Sequence, residues 1–252
     1  MARSCEQAAA LGLPAIAFTE HLEFTSGGDG DAITGLATDA RWWSRIRPLD
    51  VTGYLAAIEE CRERFPGLRI YSGVEAGEPH LFGASAGAII RGHPFERVLG
   101  SLHSVPHEGR LVAADALFGS MPPDEVMRRY FAELLRLVEG SGLFAILAHM
   151  DFPRRYWPGA PGSYREQDFE EEYRAVMRAL ARSGRVLEVN TKSPLASAEL
   201  VRWWRDSGGT ACSFGSDAHL PGRVGDRFKL AVDVVEAAGF RPGRDPCDFW
   251  CA

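Results

Sequence analysis

Ala211-Cys212-Ser213-Phe214-Gly215-Ser216 runs directly into Asp217-Ala218-His219. The first part reads as a short buried strand, and the second sets a carboxylate and an imidazole two positions apart just past its end. Side chains alternate along extended chain, so Asp217 and His219 fall on one side. The competing reading is a helix N-cap by Ser216 or Asp217 beside a solvated histidine. The same arrangement recurs upstream. Ala15-Ile16-Ala17-Phe18-Thr19 leads into Glu20-His21, Leu68 to Val74 into Glu75, Arg97 to Leu102 into His103, and Leu143 to Ala148 into His149 and Asp151. A sixth run, Arg185-Val186-Leu187-Glu188-Val189, ends at Asn190.

Amphipathic segments separate these runs. Leu55, Ile58 and Phe65 share a helical face between Asp50 and Pro66. Val126, Tyr130, Leu134 and Val138 repeat at helical spacing after Pro122-Pro123, as do Phe169, Tyr173, Val176 and Leu180 before Gly184. Leu200, Trp203 and Trp204 end at Gly208, and Phe228, Ala231, Val234, Val235 and Ala238 end at Gly239. Ser4-Cys5-Glu6-Gln7 has the form of a capping box, with Gly12 as the stop. Strand and helix in alternation predict an α/β fold with a parallel sheet, in which strand carboxyl ends gather at one mouth.

The chain's 252 residues suit one α/β barrel, so residues 1–252 are expected to form a single domain. Its 46% hydrophobic and 25% charged content is that of an ordinary globular protein, with no apolar run long enough to span a bilayer. A formal net charge of -6 counts against nucleic acid as partner, and leaves room for a small phosphorylated ligand held by local arginines. Cys5, Cys61, Cys212, Cys247 and Cys251 form no Cys-x-x-Cys pair, which fits a reducing cytoplasm, with Cys61 and Cys212 as buried thiols. Thr25 to Pro48 and Pro153 to Gly162 read as long loops over the mouth, carrying Trp42, Trp43 and Trp157. The tail beyond Gly239 reads as irregular.

Independent structural histidines have no reason to choose the same end of successive strands. His21, Glu75, His103, His149, Asp217 and His219 are therefore the expected metal ligands, in a set that accepts zinc, iron or manganese. His80, His93 and His107 lie a loop away and are expected at the surface or behind the ligands. Arg154 and Arg155 follow His149-Met150-Asp151, and their planar forks suit a phosphate; Lys192 and Arg223 are further substrate-binding candidates.

Taken in order, Thr19-Glu20-His21, Gly73-Val74-Glu75, Gly100-Ser101-Leu102-His103, Ala148-His149-Met150-Asp151, Glu188-Val189-Asn190 and Gly215-Ser216-Asp217-Ala218-His219 resemble the polymerase-and-histidinol-phosphatase (PHP) family, closest to its histidinol-phosphate phosphatase branch. The resemblance implies a distorted (β/α)7 barrel with two to three divalent ions. Glu75 would bridge two of them, with His103 and His149 on one, Asp217 on the other, and His21 with His219 on the third. It implies a metal-dependent phosphomonoesterase acting on L-histidinol phosphate, with Asp217 and His219 in the catalytic set. A phosphodiesterase or nuclease, and a non-catalytic metal-binding barrel, are the alternatives. Two departures stand out. The chain opens at Met1-Ala2-Arg3 with no histidine before His21, whereas the family opens with a His-x-His strand, so the first barrel strand is expected to be missing and the metal set incomplete. Met150 stands where the family has proline.

Overall fold

The computed structural model describes residues 1–25, 34–38, 47–160, 163–192 and 194–252. In chain order the elements are α1 (Ala2–Ala10), β1 (Ala15–Leu22), β2 (Ala37–Thr38), α2 (Val51–Arg64), β3 (Arg69–Gly77), α3 (Gly83–Gly92), β4 (Arg97–Ser101), β5 (Ser104–His107), β6 (Arg110–Ala113), α4 (Pro123–Gly140), β7 (Ile146–Leu147), α5 (Glu170–Arg182), β8 (Val186–Asn190), α6 (Ala198–Asp206), β9 (Ala211–Gly215), α7 (Phe228–Ala237) and β10 (Trp250–Cys251). The six expected strands lie side by side in the order β1-β3-β4-β7-β8-β9, every neighbouring pair parallel. The sheet curls: the rings of His21, after β1, and His219, after β9, come within 5.9 Å of each other. This is an α/β half-barrel with its carboxyl ends drawn into one mouth, in keeping with the expected parallel α/β fold. Among the described residues, β1 pairs only with β3.

Alternation along the strands builds two layers. Leu147, Leu187, Val189 and Cys212 face outward into the main core with Tyr130, Phe131, Leu134, Tyr173, Val176 and Trp204 of the helices. Each such fully buried large side chain contributes roughly 1.5–3 kcal/mol. On the inner face Leu99, Ile146, Ala148 and Val186 form a small apolar cluster. Farther along β8 the same face changes to Glu188 and Asn190, so the interior is apolar at the strands' amino ends and polar at the mouth.

The expected helices appear. Asp50 caps α2 by accepting from Gly53 N at 3.0 Å, and α4 starts on Pro123 with Asp124 and Glu125 in its first turn, favourable to the helix dipole. The Ser4 capping box does not form. The helix starts earlier, with Met1 O accepting from Ser4 N at 2.8 Å, so Ser4 is already in the first turn. Two features escape the sequence reading. One is α3, whose Gly83-Ala84-Ser85-Ala86-Gly87 opening lacks an apolar stripe. The other is a second sheet, β2-β6-β5, built on a hairpin turning at Glu108 and Gly109, both with positive φ.

The tail beyond Gly239 is not wholly irregular. β10 pairs antiparallel with β9, Trp250 opposite Cys212, and the Trp250 ring meets Phe214 edge-on at 5.3 Å. Phe249 packs on the inner apolar cluster beneath the Arg97 guanidinium. Cys247 and Cys251 join no group of metal-ligating side chains among the described residues. Nor, among them, is any helix long and apolar enough to cross a membrane.

Candidate metal centre

His21 sits opposite Glu75 in the β1–β3 register, which brings an imidazole and a carboxylate together without any loop. The Glu75 carboxylate reaches three histidines. Its Oε1 lies 2.6 Å from His149 Nε2 and 3.4 Å from His103 Nε2, and its Oε2 lies 3.6 Å from His21 Nδ1. Glu23, one residue past β1, faces the same cluster from the other side, with Oε1 2.9 Å from His103 Nδ1 and 3.3 Å from His21 Nδ1. Two overlapping groups result, His21/Glu23/His103 and Glu75/His103/His149, each with its ligand atoms within 4.8 Å of one another.

These side chains are held in place by others. Glu78, at φ 44° and fully buried, accepts the backbone amides of His103 at 2.6 Å and Ser104 at 2.7 Å. Glu188 accepts His149 N at 2.8 Å and Asn190 Nδ2 at 3.0 Å. Glu188 and Glu23 depend on missing side chains nearby: a Cβ at Gly215 would collide with Glu188, and one at Gly77 with Glu23.

Burial works against charge throughout the cluster, yet the partners prevail. Burial alone would lower the His103 pKa, but the carboxylates of Glu23 and Glu75 hold it well above the ordinary histidine value. Burial alone would raise the Glu75 pKa, and His103 and His149 hold it well below the usual carboxylate range. Glu23 is likewise lowered, against burial, by His103 and His21. Glu78 goes the other way: burial, then the Glu23 charge, push it up to about 8. Packing carboxylates and imidazoles this tightly out of water makes sense where a cation takes the place of protons. The donor set agrees, because among the described residues buried Glu23 Oε2 and His149 Nδ1 have no hydrogen-bond partner. Nitrogen and oxygen donors of this kind suit zinc, iron or manganese.

A second group closes the mouth. Asp217, at φ 46°, pairs with Arg155 through Oδ2 at 2.7 Å and with Lys192 through Oδ1 at 2.9 Å. Burial and Glu75 would raise its pKa, but Arg155, His149 and Lys192 lower it on balance. His219 is 60% exposed, with Nδ1 3.4 Å from Asp217 Oδ1. Arg155 also donates to Asn190 Oδ1 at 3.0 Å, and its guanidinium lies over the Phe152 ring. A cavity of about 330 Å³ joins the two groups; Asp115, Phe152 and Tyr156 complete its wall.

The model of the PHP domain matches residues 1–192. The chain belongs to the PHP-domain family. Among curated proteins it is similar to a histidinol-phosphatase of Lactococcus lactis subsp. lactis (strain IL1403), 25% identical over 243 residues, 93% of this chain and 83% of that one. Among solved structures it resembles the histidinol phosphate phosphatase of the same organism, crystallised with zinc, L-histidinol and phosphate. That likeness has a TM-score of 0.77 at 24% identity and covers 94% of this chain and 86% of the other. A Listeria monocytogenes structure aligns with a TM-score of 0.71 at 13% identity, covering 90% and 92%. At these identities the structures bear on fold alone.

In this PHP domain the structure brings His21, Glu75, His103, His149, Asp217 and His219 to one cavity, together with Arg155 and Lys192. Arg154 does not reach it. Its guanidinium pairs with Asp151 at 3.1 Å and Glu166 at 2.8 Å and stacks on Tyr164, because neighbouring residues of a 3-10 turn point apart. Arg223 also faces away and pairs with Asp226 at 3.1 Å. Trp157 packs against Phe118, Tyr164 and Phe169 on the rim; Trp42 and Trp43 lie outside the described residues. His80 binds Glu133 at 2.8 Å, away from the cavity, while His93 is exposed and His107 half-buried.

Sequence reasoning missed Glu23, Glu78, Glu188 and Asp115. Glu23 was within reach, two positions after His21 and hence on the same face of the strand. The period of two likewise connects Glu188 to Asn190. Glu78 and Asp115 follow a positive-φ turn and an unforeseen hairpin, and no spacing marks them.

Proposed function

We propose that this PHP domain, acting as one unit over residues 1–252 in the cytoplasm, is a metal-dependent phosphomonoesterase. The observation that carries the reading is one cavity lined on one side by the His21, Glu75, His103, His149 cluster and on the other by Arg155, Lys192 and Asp217. L-histidinol phosphate, cleaved to L-histidinol and phosphate, is the first substrate to try, in view of the curated relatives. Two or three divalent ions, zinc, iron or manganese, would be held by His21, Glu23, Glu75, His103, His149, Asp217 and His219. When bound, such ions supply Lewis acidity and a hydroxide source at neutral pH.

The chain's own groups complete the chemistry. Arg155 and Lys192 face the cavity and neutralise the ester's non-bridging oxygens, with Arg155 braced by Asn190 so that its fork keeps one direction. Asp217, ionised at neutral pH, takes the proton from the attacking water as the new P–O bond forms. As the ester P–O bond breaks, the leaving alkoxide takes its proton from solvent at the open mouth, where His219 stands exposed beside Asp217. The test compares hydrolysis of L-histidinol phosphate, p-nitrophenyl phosphate and bis(p-nitrophenyl) phosphate by protein loaded with zinc, manganese or iron. Turnover of the monoesters supports the reading. Turnover of the bis ester alone, or of none, overturns it.

A further inference from the structure

His103 belongs to both candidate ligand groups, so the direction of its ring decides how two ions would sit relative to each other. Its backbone is gripped from two sides. On one, the Glu78 carboxylate takes the amides of His103 and Ser104. On the other, Tyr130 of α4, buried in the main core, donates its hydroxyl to Leu102 O at 3.1 Å. The same helix also reaches the Glu78 turn. Glu133, three positions on from Tyr130 and on the same face, accepts from His80 Nε2 at 2.8 Å. Gly140, farther along that face, lies so close that a Cβ there would stand 3.3 Å from the His80 Cβ.

His80 is two residues past Glu78, in a turn that closes on itself: Leu81 N and Phe82 N both donate to Glu78 O, at 2.9 and 3.1 Å. The turn therefore moves as a unit, and His80 ties it to α4. The side chains of His80 and Glu133 are each only 7% exposed. Burial would raise the Glu133 pKa, yet His80 and then Arg136 hold it below the ordinary carboxylate value. A buried carboxylate paired in this way contributes little stability compared with well-packed apolar groups, so stability alone does not account for it. Its placement does. We infer that Tyr130 and Glu133 are positioning residues for the metal centre, one acting on His103 through Leu102 and the other through His80 and Glu78. This rests on the metal-dependent reading of the site, and neither residue lines the cavity.

The experiment uses the full chain with cobalt(II) in place of zinc. Cobalt accepts the same nitrogen and oxygen donors, and its visible absorption reports their geometry. Cobalt titrations and thermal midpoints are measured on the native chain, Tyr130→Phe, Glu133→Leu, Glu133→Gln and Val126→Ala, with kcat and KM for p-nitrophenyl phosphate. Tyr130→Phe and Glu133→Leu should each weaken cobalt binding by about 10–100-fold and change the absorption, as expected on disturbing a ligand's support. At saturating cobalt they should lower kcat and leave KM near its native value. Glu133→Gln keeps an oxygen to accept from His80 and should restore most of the affinity. Val126→Ala removes core packing from the first turn of the same helix, and should lower the thermal midpoint without changing the absorption. Unchanged cobalt affinity and absorption in Tyr130→Phe or in Glu133→Leu overturn the inference, as does an equal change in Val126→Ala. A native chain that binds no cobalt overturns the metal-dependent reading, and this inference with it.

Discussion

Gly77 leaves empty the space that the Glu23 carboxylate occupies: any Cβ at position 77 would run into it. The two residues lie 54 positions apart, and Glu23 is fully buried between His21 and His103. Gly77→Ala should therefore push Glu23 off His103 and lower metal affinity by about 10–100-fold, as expected on disturbing a ligand or its support. Metal content after dialysis against a graded chelator series checks this. Content equal to that of the native chain would show that Glu23 is not needed for metal binding.

His103→Ala and Asp217→Ala should each abolish phosphatase turnover, whereas His93→Ala should leave it nearly unchanged. His103 touches both Glu23 and Glu75, and Asp217 lines the cavity, while His93 lies at the surface against Phe95. Rates with p-nitrophenyl phosphate at saturating zinc provide the comparison, and a matching loss in all three variants would refute the assignment.

Arg155 and Arg154 are neighbours in sequence with opposite consequences. Arg155→Ala should raise KM for the phosphate ester, a loss of about 1.5–3 kcal/mol of charged hydrogen bonding. Arg154→Ala should leave KM near its native value and unfold the chain more easily. It strips the cationic partner from Asp151 and from Glu166, leaving them Tyr173 and Ser197, a break that costs about 3–5 kcal/mol where the pair is buried. Denaturant midpoints and KM, measured on both variants, separate the two roles.

Protonation and metal compete for the same atoms. In the metal-free chain the folded His103 pKa is raised above its ordinary 6.5, so its stabilising contribution is full below that pH and is lost as pH rises through the raised value. Glu75 is depressed below its ordinary 4.5, so its contribution is present above that pH and is lost as pH falls through the lowered value. Metal needs the neutral imidazole, which reverses the alkaline trend. Above pH 6.5 the melting temperature should decline for chelator-treated protein and hold or rise with zinc, and zinc binding at neutral pH should release protons into the buffer. Melting curves that run parallel with and without zinc across this range would contradict the scheme.

The strand ends were legible because a parallel sheet needs only apolar runs and alternation, and His21, Glu75, His103, His149 and Asp217 each mark the end of such a run. The residues that support them obey no comparable rule. Glu78 acts through a left-handed backbone turn, and Asp115 through a hairpin whose strands are four residues each. Arg154 and Arg155 show the limit in another form. Their place after His149-Met150-Asp151 marks both as phosphate ligands, but only the pitch of a short 3-10 turn decides which one sees the cavity. The tail was misjudged for a similar reason, since β10 is a two-residue strand defined by where β9 lies.

His21 and His219 meet although their strands lie at opposite sides of the six-strand parallel array, with no backbone ladder between them among the described residues. An ion shared across that seam would act as a clasp. It would do for the curl what hydrogen bonds do between adjacent strands, so that metal occupancy and sheet curvature become a single mechanical variable. Chelation would then be felt far from the ligands, in faster amide exchange along the free edge of β1. Only the ion at this seam would need Asp217 and His219, since the groups His21/Glu23/His103 and Glu75/His103/His149 are complete without them.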